Sequence, residues 1–107
     1  MQEDLLNLIY QHAEEEAPRE CCGLVVEEEG KMEYIKMQNK ANSNEEFLMD
    51  SQLFTLFNLT KKILYVVHSH YNLSCKPSKY DEKNCKAMDI PYLIVSYPEK
   101  DYCIVTP

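Results

Sequence analysis

The chain has 107 residues, 45% of them hydrophobic and 27% charged, with a formal net charge of −7 at pH 7. Such a composition describes one globular domain with enough apolar side chain for a single core, and excludes a disordered chain. Without a Lys/Arg stripe an acidic chain lacks the electrostatic footprint of a nucleic-acid or anionic-membrane binder, and no apolar run reaches the ~18 residues of a membrane span.

The first stretch, Met1-Gln2-Glu3-Asp4-Leu5, has no basic region followed by an apolar one, so no signal peptide is expected and the protein is expected to be cytoplasmic when made. Residues 3–16 place Leu5, Leu6, Ile9 and Ala13 on one face at helical spacing, with acidic residues opposite and His12 on the polar side, facing solvent. Pro18 ends this helix. Residues 21–28 and 31–38 read as the arms of a β-hairpin turned at Glu29-Gly30, where glycine permits positive φ. Gly23, inside the first arm, is expected to allow close backbone packing. The runs Glu14-Glu15-Glu16 and Glu27-Glu28-Glu29 read as solvated surface.

A polar loop, "NKANSNEE", follows, then a short expected strand at 47–50, "FLMD". Asp50 or Ser51 can cap a second helix through about residue 61, with Leu53, Phe54, Leu56 and Phe57 facing inward. "KKILYVVHSH" reads as a strand buried on both faces, and Ser78 to Met88 as a third helix. "PYLIVSYP" and "DYCIVT" are two further strands joined by a tight connection, with Tyr65, Tyr92, Tyr97 and Tyr102 on strands. The order implies a mixed sheet with helices packed on it.

Five cysteines cannot all pair within one chain, and no C-x-x-C occurs. Cys21, Cys22, Cys75, Cys85 and Cys103 are therefore expected as buried or half-buried free thiols in a reducing compartment.

The candidate chemistry lies in "VVHSHYNLSCKPSKYD", residues 66–81. On a strand, residues i and i+2 share a face and lie roughly 6.6 Å apart, so His68 and His70 can converge on one metal ion. Alone, the pair fits ordinary strand-end histidines equally well. Asp81, ten residues past His70, offers the third ligand that a catalytic zinc takes beside water. "PSKYD" also reads as a capping box with Ser78 at the N-cap, which explains a helix but not two preceding histidines. Zinc hydrolysis further needs a general base and a donor to the developing oxyanion. Ser78 can be the donor. Glu20, at the boundary of the apolar "CCGLVV", is the candidate base, against a surface glutamate ending a linker.

At this point the chain resembles the JAMM (MPN-plus, JAB-type) zinc metallopeptidases, whose pattern is an early glutamate, His-x-His, ten residues, and Asp with a serine three before it. Here that reads Glu20, His68-Ser69-His70, Ser78 and Asp81. "PRECCGLVV", "NKANSNEEFLMD" and "PYLIVSYPEKDYCIVTP" extend the resemblance over nearly the whole chain, most of all to a phage tail-tip branch. It implies an α/β fold of the JAMM/cytidine-deaminase-like kind, a mixed sheet flanked by helices in three α-β-α layers. Residues 1–107 would form a single metallopeptidase domain, without the NlpC-type cysteine peptidase domain that follows it in relatives. The resemblance further implies one Zn2+ held by His68, His70 and Asp81, with Glu20 as general acid/base and Ser78 stabilising the oxyanion. The implied reaction is hydrolysis of a peptide or isopeptide bond. Implied partners are a cell-wall peptide, a ubiquitin-like or sulfur-carrier protein, or other phage tail proteins. A non-catalytic assembly module of a tail tip is the competing expectation. One departure is Tyr71, where the family usually has proline after His-x-His.

Overall fold

The computed structural model covers residues 1–107. Its elements are α1 (Glu3–Glu16), β1 (Cys22–Glu28), β2 (Lys31–Met37), α2 (Ser51–Thr60), β3 (Lys62–Tyr71), α3 (Lys79–Met88), β4 (Tyr92–Tyr97) and β5 (Asp101–Val105). The five strands form one sheet in the order β2-β1-β3-β4-β5. All neighbours are antiparallel except β3 and β4, which run parallel because α3 carries the chain back between them.

Side chains alternate across the sheet and bury two separate cores. On one face, Val25, Val67, Leu93 and Val95 pack under Leu5, Ile9 and Ala13 of α1. On the other, Cys22, Leu24, Val26, Val66, Tyr92 and Ile94 meet Phe54 and Phe57 of α2 and Cys85 and Met88 of α3. The result is the expected three-layer α-β-α arrangement. The hairpin turn has positive φ at Glu29 and Gly30, 52° and 78°, which sets the twist that a two-residue connection needs. A Cβ on Gly23 would lie 2.5 Å from the Ile35 carbonyl oxygen and from the Tyr34 ring, so the close packing expected there holds.

Four local expectations fail. Residues 47–50 form no strand: Phe47 and Met49 pack on the core at the α2/α3 face, and Leu48 O accepts from Lys40 N outside any sheet ladder. Asp50, the last residue of that segment, caps α2 as expected, its carboxylate accepting from Leu53 N at 2.9 Å. Second, α2 buries only the narrow Phe54/Phe57 strip at i and i+3, leaving Leu53 39% and Leu56 53% exposed. Third, His12 is buried, because the side of α1 that carries it lies against β2 and its Nδ1 meets the Tyr34 hydroxyl at 2.7 Å. Fourth, Cys75 and Cys103 are bonded as a disulfide, the fold having brought their Cα atoms to 5.5 Å; Cys21, Cys22 and Cys85 stay free and buried.

Candidate metal centre

The strand β3 ends with Val66 to His70 fully inside the protein, and its alternation sends His68 and His70 to the α2/α3 face. Ser69, between them, points the other way. Its Oγ accepts from Cys21 N at 2.8 Å while Ser69 N donates to Cys21 O, locking the end of β3 to the start of β1. Beyond His70 the chain turns through 71–78 and enters α3 at a full capping box. Ser78 Oγ accepts from Asp81 N, and Asp81 Oδ2 accepts from Ser78 N, both at 3.0 Å.

The cap aims Asp81 at the histidines. Its Oδ1 lies 3.0 Å from His68 Nε2, and its Oδ2 3.1 Å from His70 Nε2. One ligand atom from each of the three residues falls within a 4.8 Å group, and all three residues are buried, so the cluster could hold a metal ion. His70 Nδ1 lies 2.8 Å from the Ser74 carbonyl, to which it donates; Nε2 is then the ring atom that faces Asp81. Phe47 stacks on His68 with centroids 4.5 Å apart, and Tyr92 meets the same ring edge-on.

The donor set fits a divalent metal on this structure's own terms. His68 is wholly buried, yet neither ring nitrogen has an aligned hydrogen-bond partner; the short approach to Asp81 is an electrostatic contact without directional geometry. A buried imidazole left this way is costly, and a metal at Nε2 would give that nitrogen a partner, though not Nδ1. Two imidazoles and a carboxylate are the donors zinc takes in open sites. Burial holds the His68 pKa down, which keeps the ring neutral as a ligand must be. For His70, burial lowers the pKa, but the bonds to Asp81 and Ser74 outweigh it and leave it raised. Asp81 is penalised by burial, yet the two histidines hold its carboxyl far below the usual carboxylate range.

Glu20 is 6% exposed and lines the same cleft, about 450 Å³ in volume, together with His70, Ser74, Ser78, Asp81 and Glu45. Burial pushes its pKa up from 4.5 to about 7; Asp81, Glu46 and Glu45 add to the rise and His70 opposes it. The structure thus brings Glu20, His70, Ser78 and Asp81 to one cleft, with His68 buried behind it against Asp81. Cys75 does not approach as a ligand, because its sulfur is bonded to Cys103.

Sequence reasoning missed the supports: Ser69, Ser74, Phe47 and, above all, Asn39. The Asn39 amide donates to Glu20 O and Glu46 O and accepts from Ala41 N and Leu48 N. The only signal for it in the sequence is an asparagine at the end of an expected strand, in a loop read as merely polar.

The protein family described as prokaryotic homologs of the JAB domain matches residues 2–104. Tail tip assembly protein K of Escherichia phage N15 is 32% identical over 108 residues, covering 100% of this chain and 44% of that protein. The chain therefore spans less than half the length of that curated relative. Among solved structures, a JAB1/MPN domain protein from Archaeoglobus fulgidus is similar with TM-score 0.66 and 25% identity, covering 95% of this chain and 83% of that one. Protein DSY2949 from Desulfitobacterium hafniense reaches TM-score 0.71 at 25% identity, over 96% and 78% of the two chains. The fold is also that of a structure described as a metalloprotease-like zinc site in the proteasome and signalosome, with TM-score 0.59 and 21% identity over 97% and 82%.

Proposed function

Because the chain belongs to the family of prokaryotic homologs of the JAB domain, we propose that it is a zinc-dependent metallopeptidase that hydrolyses a peptide or isopeptide bond. The observation that carries this reading is the buried His68–His70–Asp81 group opening onto a cleft that also holds a glutamate with pKa about 7. A scaffold has no use for a desolvated carboxyl beside a metal cluster, whereas a hydrolase does.

His68, His70 and Asp81 would hold the zinc, which when bound would supply Lewis acidity for the scissile carbonyl and for a water molecule. Glu20 takes the proton of that water and delivers it to the leaving nitrogen; a carboxyl poised near neutrality can do both. Ser78 keeps its hydroxyl proton free for the substrate, because its cap to Asp81 N uses only an acceptor lone pair. Its O–H donates to the carbonyl oxygen as negative charge develops there. Helix capping and catalysis thus use different halves of one hydroxyl.

The relative's description as a tail tip assembly protein supports a phage setting; the substrates proposed for it are a cell-wall peptide crosslink or another tail protein. The same description supports a second reading, an assembly module that holds the metal but cleaves nothing.

A cleavage assay on cell-wall peptides and ubiquitin-like fusions, with metal analysis, separates the two. We expect close to one zinc per chain and chelator-sensitive hydrolysis. Glu20→Gln is expected to keep the zinc and lose about 10²- to 10⁴-fold in kcat. Zinc leaving with Glu20→Gln would make Glu20 a ligand. Bound zinc with no cleavage of any substrate would favour the assembly module.

A further inference from the structure

Glu20 and Cys21 belong to neither α1 nor β1, so no regular backbone ladder holds the base in place. Bonds from elsewhere do. On the Cys21 side, both backbone groups go to Ser69, between the two histidines. On the other side, Arg19 donates its guanidinium to Asn39 O and Ala41 O. At Glu20 itself, the carbonyl accepts from Asn39 Nδ2 at 2.8 Å. The second Nδ2 proton goes to Glu46 O at 2.9 Å, and Oδ1 accepts from Ala41 N at 2.9 Å and Leu48 N at 3.1 Å.

Two donors and two acceptor bonds use the full capacity of a carboxamide, and Asn39 is 4% exposed. Of the residues it joins, Glu20 lines the cleft, and Glu46 and Leu48 flank Phe47 at the metal ligands. Glu45 lines the cleft as well, and Phe47 stacks on His68. The 40–48 wall has no helix or strand of its own either. No other residue type of this size offers two donors and an acceptor with two lone pairs in one plane.

We infer that Asn39 is a positioning residue for hydrolysis: its buried amide ties the backbone of Glu20 to the 40–48 wall and so fixes the base against the metal ligands. The inference rests on the proposed peptidase reading. Asn39 touches neither ligand nor substrate, and acts by fixing where the Glu20 carboxyl stands relative to His68, His70 and Asp81. A loop staple with no bearing on Glu20 would affect stability alone.

Asn39→Asp tests this best, because it keeps size, shape and the oxygen that accepts from Ala41 and Leu48 while placing oxygen where the donor faced two carbonyls. Asn39→Ala is the harsher form, and Asn39→Asp carries the test if that variant does not fold. In the zinc-loaded chain we expect kcat for peptide cleavage to fall about ten- to hundredfold, with KM and zinc affinity changed by less than about threefold. In the metal-free chain, the Glu20 side-chain carboxyl carbon resonance, assigned by its loss in Glu20→Gln, is expected to shift and broaden. A folded Asn39→Asp with wild-type kcat overturns the inference, as does an unmoved Glu20 resonance or a loss confined to zinc affinity. If the parent chain cleaves nothing, the peptidase reading fails by itself, and the resonance alone decides whether Asn39 positions Glu20.

Discussion

Glu20 is held at a cost to the metal-free fold. Its carboxyl titrates at about 7 inside the cleft against 4.5 in a solvated chain, so between those values the folded protein keeps a proton that the unfolded one releases. Stability from this group is therefore complete below about pH 4.5 and lost as pH rises through 7, the full shift corresponding to about 3 kcal/mol. Glu20→Gln removes the charge, so in chelator it should match the parent near pH 4.5 and exceed it by up to about 3 kcal/mol at pH 8. Urea unfolding at the two pH values checks this, and equal gains at both would disprove it. Ser78 carries two functions through one oxygen. Ser78→Ala should cost about 1 kcal/mol through the lost cap and about 10²- to 10³-fold in kcat through the lost donor, while zinc stays bound. Thermal melts and steady-state kinetics on one preparation separate these effects.

At the scale of elements, the loop between His70 and Asp81 is held at its middle. Ser74 O anchors the His70 ring, and the next residue, Cys75, is bonded to Cys103 of β5 across 28 residues. A closed loop of that length restricts the unfolded chain by roughly 3.6 kcal/mol. Cys75→Ser with Cys103→Ser should lower unfolding free energy by about that amount and weaken zinc binding through the freed Ser74 carbonyl. Competition with a zinc chelator reads the second effect; unchanged zinc affinity would show that the loop needs no anchor. The elements themselves were largely legible, for stated reasons. The short apolar runs in 22–28 and 62–71, the Glu29-Gly30 turn and the Ser78-to-Asp81 cap all act within a few residues. The 47–50 segment was not legible, since "FLMD" has strand letters but the sheet leaves it no neighbour. Nor were Leu53 and Leu56, because which helical stripe is buried depends on where the sheet lies under α2.

For the whole molecule, metal and fold should be linked. The three ligands come from β3 and α3, and none of them is in place in an unfolded chain. Free zinc at about a hundred times its Kd should raise unfolding free energy by about 2.7 kcal/mol, and Asp81→Asn should abolish the gain. Denaturant curves at several zinc concentrations check this; a gain that survives in Asp81→Asn would place the metal elsewhere.

The amino-acid order was enough for the family pattern and the mixed sheet, and it pointed to Glu20, His68, His70, Ser78 and Asp81 as one candidate site. His-x-His on a strand, a capped Asp and an acid at an apolar boundary are relations of spacing and polarity along the chain. It was silent on Asn39, Ser69, Ser74 and Phe47 as supports of the site, and it pointed the wrong way on His12, read as solvent-facing, and on Cys75 and Cys103, read as free thiols. Each of these depends on a partner whose approach is set by how the sheet, the helices and the 40–48 wall pack together. Local propensity carries no information about such distances; only tertiary packing brings these groups within bonding reach.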